Sequence, residues 1–317
     1  MRFTRYLSVL TAGMALALTA CDLQAQAYPS RPITILVGLS PGGTFDTISR
    51  LFAAQIGRKW NQSVVVENRL GGGGTLAASA LAKSVPDGYT LGMTSDWNAE
   101  FFVKDLGYNP RDIEPISIVG VSPYALVVGK EVTAKTLAEF VAQAKAKPGS
   151  MNFGVVPAGS HEAETRETQF VLGIQGTTVG YKGIAPIYVA LMAGELHATL
   201  GTSSSQLRAG QLRALAIGGE KRFPELPDVP TFRESGYNYD PVSYYPLWIR
   251  VETPRDILAR LAAEANELSR SPEFAEKVTK PFAIVGLGAT PEESRRLVSE
   301  QYEHIKQVVT RAGIKPQ

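Results

Sequence analysis

Short β-rich runs alternate with helical stretches from residue 33 onward, and few folds accommodate this alternation. Ile33 to Val37 is a run of strand-forming residues, and after a glycine turn apolar residues recur at helical spacing through residues 44–60. Ser63 to Glu67 is a second strand, Leu76 to Lys83 a second helix and Tyr89 to Met93 a third strand. Strands and helices in this order favour an α/β fold with mainly parallel sheets.

The same unit restarts in the middle of the chain. A helix from Thr136 to Ala146 ends at Lys147-Pro148-Gly149, and a strand from Asn152 to Val156 leads through a loop into a helix over Ser160 to Leu172. Two similar α/β lobes are therefore predicted.

Two stretches depart from the helical periodicity around them, Val121 to Val128 and the Pro- and Tyr-rich Leu226 to Tyr245. We interpret both as crossings between the lobes. On this interpretation the first lobe comprises residues 28–123 and 238–317, and the second lobe comprises residues 124–237.

The first 27 residues have the composition of an export signal. Arg2 and Arg5 precede an apolar run that is too short to span a bilayer. Ala25-Gln26-Ala27 is a small-x-small cleavage site before Tyr28, while Leu18 to Cys21 has the form of a lipoprotein signal. The sequence predicts a periplasmic protein and leaves two alternatives open: cleavage before Tyr28, or a lipid anchor at Cys21.

Composition excludes several classes of function. The 317 residues include 44% hydrophobic residues, which suffice for a core, and carry a net charge of +2 without a basic cluster, so no nucleic acid is expected as a partner. The glycine loops lack the lysine of a phosphate-binding loop and the dinucleotide spacing. No cysteine follows Cys21 and the three histidines lack metal-ligand spacing. Neither a cofactor nor a metal is expected.

Three loops have the character of an anion site. In parallel α/β sheets, ligands bind where strands end and loops lead into helix N-termini, whose N–H groups are free and whose dipole is positive. Such loops follow the first strand, the third strand and the first strand of the second lobe. The loop residues predicted to bind the ligand are Pro41, Gly42, Gly43 and Thr44, then Ser95 and Asp96, and then Gly159, Ser160 and His161. The alternative for each loop is that its Gly and Ser residues only turn and cap the chain.

The order of seven short motifs resembles a known family. They are Tyr28-Pro29-Ser30-Arg31-Pro32-Ile33, Pro41-Gly42-Gly43 with Asp46 and Arg50, Val64-Val65-Val66-Glu67-Asn68-Arg69, Pro86-Asp87-Gly88-Tyr89-Thr90-Leu91, Tyr181-Lys182-Gly183, Leu212-Arg213-Ala214-Leu215-Ala216 and Leu226-Pro227-Asp228-Val229-Pro230-Thr231. Each motif is weak alone, but together they span the chain from Tyr28 to Lys315. The chain resembles the extracytoplasmic solute receptors of tripartite tricarboxylate transporters, the Bug or TctC type.

This resemblance implies a type II periplasmic-binding-protein fold, in which two lobes close by a hinge on a carboxylate held by main-chain N–H groups and bridging waters. Many relatives have a histidine three residues after the serine of the second loop, where this chain has Ala163. Arg166, one turn into the same helix, is the competing candidate that could supply a charge-assisted pair in place of this histidine, and it completes the set of candidate ligand-binding residues. The resemblance maps the family's first carboxylate loop onto Pro41 through Asp46 and so adds Phe45 and Asp46 to the candidates. The alternative for Asp46 is that it caps its helix.

The predicted function is a receptor, not an enzyme. We expect it to capture a small organic carboxylate, to act as a monomer, and to deliver the ligand to the membrane subunits of a tripartite tricarboxylate-type transporter. Two other functions remain open: a ligand-sensing co-receptor for a membrane sensor kinase, and a secreted hydrolase that uses Ser160. The hydrolase requires a base beside Ser160, and no nucleophile-elbow motif surrounds that serine.

Overall fold

The computed structural model describes residues 28–95, 98–202 and 205–316, so the predicted signal segment, Cys21 and Asp96 lie outside the described residues. The strands are β1 Ile33–Val37, β2 Val64–Asn68, β3 Thr90–Met93, β4 Ile113–Pro123, β5 Ala125–Val128, β6 Met151–Val155, β7 Gly176–Gly180, β8 Ala198–Gly201, β9 Arg213–Ile217, β10 Val242–Arg250 and β11 Val285–Gly286.

The α-helices lie between these strands. They are α1 Thr44–Trp60, α2 Thr75–Ala82, α3 Leu137–Ala146, α4 Ser160–Leu172, α5 Ile184–Ala193, α6 Ser205–Arg208, α7 Arg255–Ser269, α8 Pro272–Phe274, α9 Lys280–Phe282 and α10 Pro291–Arg311. A π-helical turn at Ala275–Thr279 joins α8 to α9, and 3₁₀ turns lie at Gly72–Gly74, Ala99–Phe101 and Pro110–Asp112. Within the described ranges no helix is both long and apolar enough to cross a membrane.

Two sheets form the framework of the α/β fold. The first has the order β11-β4-β10-β3-β1-β2 and the second β7-β6-β8-β5-β9. In the first, Ile35 of β1 pairs in parallel with Val66 of β2 on one side and Leu91 of β3 on the other. In the second, β6 pairs in parallel with β7 and β8. First lobe and second lobe denote below the parts of the chain that carry the first and second sheet.

Both sheets are mixed, which differs from the mainly parallel sheets expected from the sequence. β10 runs antiparallel between β3 and β4, and β5 runs antiparallel between β8 and β9. These antiparallel strands belong to the stretches interpreted as crossings. A strand that carries the chain from one sheet to the other has no crossover helix, so the helix-strand alternation does not reveal it.

The two crossings lie side by side. Tyr124 alone separates β4 from β5; its N–H donates to the carbonyl oxygen of Pro241 at 2.8 Å, and its carbonyl accepts from the N–H of Gly218 at 2.8 Å. Val242 at the start of β10 pairs with Pro123. The strands of the first sheet lie within residues 33–123 and 242–286, and those of the second within 125–217. The lobe boundaries given above remain a prediction.

The sequence predicts helix starts with a threonine cap at Thr253-Pro254-Arg255-Asp256 and at Thr290-Pro291-Glu292-Glu293, and the two predictions have different outcomes. At α10 the capping box is confirmed, because Thr290 Oγ1 accepts from the N–H of Glu293 and the Glu293 carboxylate accepts from the N–H of Thr290. At α7 the prediction of a threonine cap is wrong. Pro254 occupies the N-cap position, and the Thr253 hydroxyl instead donates to the carbonyl of Arg250 at 2.7 Å.

Candidate ligand-binding site

A small inner cavity lies where the two lobes meet, with a volume of about 40 Å³. It is lined by Leu39, Ser40, Gly43, Thr44, Phe45 and Ser95 from the first lobe, by Val156, His161, Gly183, Ile184, Ala185 and Thr202 from the second, and by Tyr124, Ser243 and Tyr245 near the crossings. Among these described residues there is no lysine, arginine, aspartate or glutamate.

A larger outer chamber, of about 250 Å³, adjoins the inner cavity. The two share five lining residues, Gly43, Thr44, Ile184, Ala185 and Thr202. The outer chamber is lined in addition by Gly42, Tyr188, Ser205, Gln206, Pro281 and Phe282. The site thus consists of a small compartment and a larger one.

Two helices begin at the boundary between the cavities. α1 starts at Thr44 and α5 at Ile184, and their N-cap residues, Gly43 and Gly183, have no side chain that caps the helix. The first N–H groups of a helix have no acceptor within the helix, and the positive end of its dipole lies there. Two helix starts, one from each lobe, therefore present main-chain donors to the same space.

The start of α1 is held in place by a buried carboxylate. Asp46 accepts hydrogen bonds from the N–H of Gly42 at 2.9 Å, from Arg50 at 2.9 Å, and from Asn68 at 3.0 Å. Burial opposes ionisation of Asp46, but these hydrogen bonds outweigh it and hold its pKa below the ordinary value. The Asp46 oxygens are thus engaged in fixing the loop before α1, through the N–H of Gly42, which lies outside the helix, rather than in capping α1.

Hydroxyl groups complete the inner cavity. The Tyr245 ring packs on Phe45 with centroids 4.9 Å apart, and its hydroxyl interacts with Ser243, Thr44 and Thr202. Burial raises the pKa of Tyr245 to about 12 and raises the pKa of Tyr124 further. Both phenols therefore stay protonated at neutral pH and remain hydrogen-bond donors.

His161 lines the inner cavity with its ring but offers no reactive nitrogen. Its Nδ1 accepts from the N–H of Val156 at 3.0 Å, and its Nε2 lies 2.8 Å from the carbonyl oxygen of Leu200, to which it donates. Burial lowers the pKa of His161 to about 4, against the opposing effects of the Leu200 carbonyl and Glu162. The imidazole is neutral, and both its nitrogens are used in packing the second lobe.

At the start of α4 only His161 lines the inner cavity, whereas the predicted residues Gly159, Ser160 and Arg166 line neither the inner cavity nor the outer chamber. Ser160 is buried, and its hydroxyl accepts from the side-chain amide of Asn98 at 3.3 Å. Arg166 pairs with Glu162 at 2.7 Å, also contacts Thr178, and lines a separate cavity. Glu162 lies one helical turn before Arg166, and this spacing holds the guanidinium on its own helix.

The predicted ligand-binding residues therefore divide into two groups. Gly43, Thr44, Phe45, Ser95 and His161 line the inner cavity, and Gly42 lines the outer chamber. Neither space is lined by Pro41, Asp46, Gly159, Ser160 or Arg166, and Asp96 lies outside the described residues.

Several lining residues have no counterpart in the prediction. They are Thr202, Ser243, the two tyrosines at the crossings, and the start of α5 after the motif Tyr181-Lys182-Gly183. This motif could have indicated the start of α5 from the sequence, because a glycine directly before an apolar helix marks a helix start without a side-chain cap. α5 was missed because its apolar residues show no polar face.

The lobes touch around the site. Ser40 donates to the carbonyl of Lys182 through both its N–H, at 3.2 Å, and its hydroxyl, at 2.8 Å. Arg208 of the second lobe donates to the carbonyls of Lys280 and Pro281, at 3.1 and 3.0 Å, beside the outer chamber. These bonds connect the two lobes on either side of the cavities.

Comparison with known proteins identifies the family. The family model described as TctC, tripartite tricarboxylate transporter family receptor, matches residues 48–314. This chain belongs to the TctC receptor family. The family comprises periplasmic substrate-binding receptors, so its members are binding proteins and not enzymes.

Individual TctC and Bug relatives support the assignment over the whole chain. Protein BugT of Bordetella pertussis strain Tohama I is 32% identical over 329 residues, covering 99% of each chain. The structure of R. palustris Rpa4515 with adipate has a TM-score of 0.86 at 30% identity and covers 92% of this chain and 100% of that one. MatC from Rhodopseudomonas palustris with bound malate has a TM-score of 0.80 at 28% identity, covering 89% and 100%.

Proposed function

We propose that this TctC receptor captures a small organic carboxylate between the N-termini of α1 and α5 and delivers it to the membrane subunits of a tripartite tricarboxylate-type transporter. The observation that carries the proposal is the meeting of two uncapped helix starts at one cavity, which is lined by hydroxyl groups and lacks charged side chains among its described residues. The carboxylates named for two structural relatives, adipate and malate, support the class of ligand.

Neutral donors suffice to hold one carboxylate. A hydrogen bond to a charged group contributes about 1.5–3 kcal/mol, and a helix N-terminus adds about 0.3–1 kcal/mol to the binding of an anion. The N–H groups at Thr44 and Ile184 and the Tyr245 hydroxyl belong to three different segments that surround one point. A buried ion pair is therefore not needed for binding.

Closure of the two lobes follows from the same contacts. The crossings meet at Tyr124 and Pro241, so rotation there separates Ser40 from Lys182 and exposes the inner cavity. The protein then binds its ligand in the open state and encloses it in the closed state. Export by the segment 1–27 places this cycle in the periplasm, with cleavage before Tyr28 or lipidation at Cys21 as the two modes of processing.

A thermal-shift experiment with carboxylates and their uncharged amides tests the function. We expect at least one of malate, adipate, hexanoate and benzoate to raise the melting temperature, while its amide has no effect. A ligand at one hundred times its Kd stabilises the folded state by about 2.7 kcal/mol, which is readily measured. If the amides stabilise the protein as well as the acids, or if no acid does, the proposal is wrong.

A further inference from the structure

Part of the wall of the outer chamber consists of two short segments from different lobes. Ser205 and Gln206 belong to α6, which lies between β8 and β9 of the second sheet. Pro281 and Phe282 belong to α9, which lies between β10 and β11 of the first sheet. This part of the wall is complete only while α6 and α9 lie side by side. A contact that joins the two segments therefore also closes the chamber.

Arg208, at the end of α6, makes such a contact. Its Nη1 donates to the carbonyl of Lys280 at 3.1 Å and to the carbonyl of Pro281 at 3.0 Å. The N–H of Leu212, directly before β9, donates to the carbonyl of Gln206 at 3.3 Å and so connects α6 to the second sheet. Arg208 thus extends from a fixed position in the second lobe to the main chain of the first.

The two carbonyls that accept from Arg208 lie at the end of a helix. α8, the π-helical turn and α9 form one continuous helical segment, which ends at Ala283 with a φ of +56°. The last carbonyls of a helix have no donor within the helix and carry the negative end of its dipole, so a cation is favourable there. The ammonium of Lys280 pairs with Glu276 of the same segment. The cation that caps this helix end is therefore supplied by the other lobe.

We propose that Arg208 holds the lobes closed over the bound carboxylate by capping the end of α9, and that it thereby sets how long the carboxylate is retained. The proposal rests on the proposed function, because it assumes that the acid binds in the open state before the lobes close. Arg208 lines neither cavity, so it is a positioning residue that acts through the main chain of α9. Its loss speeds opening and leaves the entry of the acid unchanged, since the contact forms only after entry.

Stopped-flow fluorescence tests the proposal with whichever of malate, adipate, hexanoate and benzoate raises the melting temperature most. Arg208→Gln is expected to increase the dissociation rate about tenfold, because two hydrogen bonds from a cation are lost, and to change the association rate less than twofold. Arg208→Lys keeps a charged donor, and its dissociation rate is expected to lie between those of the wild type and Arg208→Gln. Arg208 is exposed, so the melting temperature without acid is expected to stay the same.

Arg213→Gln is the matched control. Arg213 of β9 also donates to two main-chain carbonyls, those of Val132 and Ala134, but these lie between β5 and α3 in the second lobe. Arg213→Gln removes the same charge and the same kind of hydrogen bond without affecting a contact between the lobes, and both of its rates are expected to match the wild type.

Three results overturn the proposal and leave the proposed function intact. They are an unchanged dissociation rate in Arg208→Gln, an equal increase in Arg208→Gln and Arg213→Gln, and a slower association in Arg208→Gln at an unchanged dissociation rate. The last of these would show that Arg208 contacts the entering acid directly. Failure of all four acids to bind the wild type overturns both proposals.

Discussion

At the scale of single residues, the site is built from neutral groups. Thr44 and Tyr245 line the inner cavity, whereas Arg166, the only cation among the candidates from the sequence, is paired with Glu162 and lines a different cavity. The sequence indicated correctly which residue types could turn the chain and donate hydrogen bonds. It did not show which of them line the inner cavity, because that depends on the packing of distant segments such as Tyr124 and Ser243.

Substitution of Arg166 and Thr44 separates the two possible anchors. We expect Arg166→Ala to leave carboxylate affinity within a factor of two of the wild type. Thr44→Ala removes one hydroxyl from the inner cavity and is expected to cost about 1 kcal/mol, or fivefold in Kd. Calorimetry with the most stabilising acid measures both. A larger loss in Arg166→Ala than in Thr44→Ala would contradict the placement of the anion between α1 and α5.

At the scale of elements, the proposed carboxylate site depends on helix starts, and the strands determine where those starts lie. The bounds of α1 and α4 agree with the sequence, because a glycine turn and apolar periodicity define both helices. The helix start that lines both cavities together with that of α1 is nevertheless that of α5, which follows β7 at the edge of the second sheet. Local periodicity does not report strand order, so the choice between α4 and α5 was not available from the sequence.

Gly183 is the residue at which this second helix start is most sensitive to substitution. Its φ of +154° disfavours any other residue, and a Cβ there would lie 3.2–3.3 Å from Ser40 of the other lobe. We expect Gly183→Ala to weaken carboxylate binding at least tenfold by opposing closure.

Gly149→Ala is the matched control, since Gly149 also has a positive φ of +81° but has no atom within 4 Å of its Cβ position. The folded state of the Gly149→Ala variant therefore carries similar backbone strain, but the added methyl group makes no contact between the lobes. Equal binding losses in the two variants, measured by calorimetry, would show that strain alone and not the contact with Ser40 is responsible.

The helices α10 and α4 make a contact whose strength depends on pH. His304 Nε2 of α10 lies 3.4 Å from the buried carboxylate of Glu164 on α4, which also accepts from the Tyr239 hydroxyl at 3.0 Å. The hydrogen bond with Glu164, opposed by burial, raises the pKa of His304 above its ordinary value. Because the pKa of His304 is higher in the folded state than its unfolded value of about 6.5, protonation of His304 stabilises the folded state. This stabilisation is complete below pH 6.5 and is lost as pH rises through the higher folded-state pKa.

The expected difference in melting temperature between the wild type and His304→Gln is therefore greatest below pH 6.5 and shrinks as pH rises above it. The buried His161 changes stability in the opposite direction, since its pKa of about 4 makes the folded state lose stability as pH falls below about 6.5. This effect is the same in both proteins and cancels in the difference. A constant difference from pH 5 to pH 9, followed by thermal denaturation, would contradict the role of the His304 charge.

At the scale of the whole molecule, the family and the α/β fold were predictable from the sequence. The way in which the two lobes meet to form the cavities was not. Seven motifs in order identified the TctC type, and the repeated strand-helix unit indicated two lobes. The mixed sheets, the meeting of the crossings at Tyr124 and Pro241, and the shared cavity arise from contacts between segments that are distant in the sequence. These contacts create an enclosed site between lobes that neither sheet forms alone.

The most direct test of this account is a crystal structure of the protein with the acid that stabilises it most. We expect the carboxylate oxygens to lie about 2.7–3.2 Å from main-chain nitrogens in the first turns of α1 and α5, with the Tyr245 hydroxyl as a further donor, and no arginine or lysine side chain in contact. A carboxylate bound to Arg166 or at the start of α4, with the space between Thr44 and Ile184 empty, would contradict it.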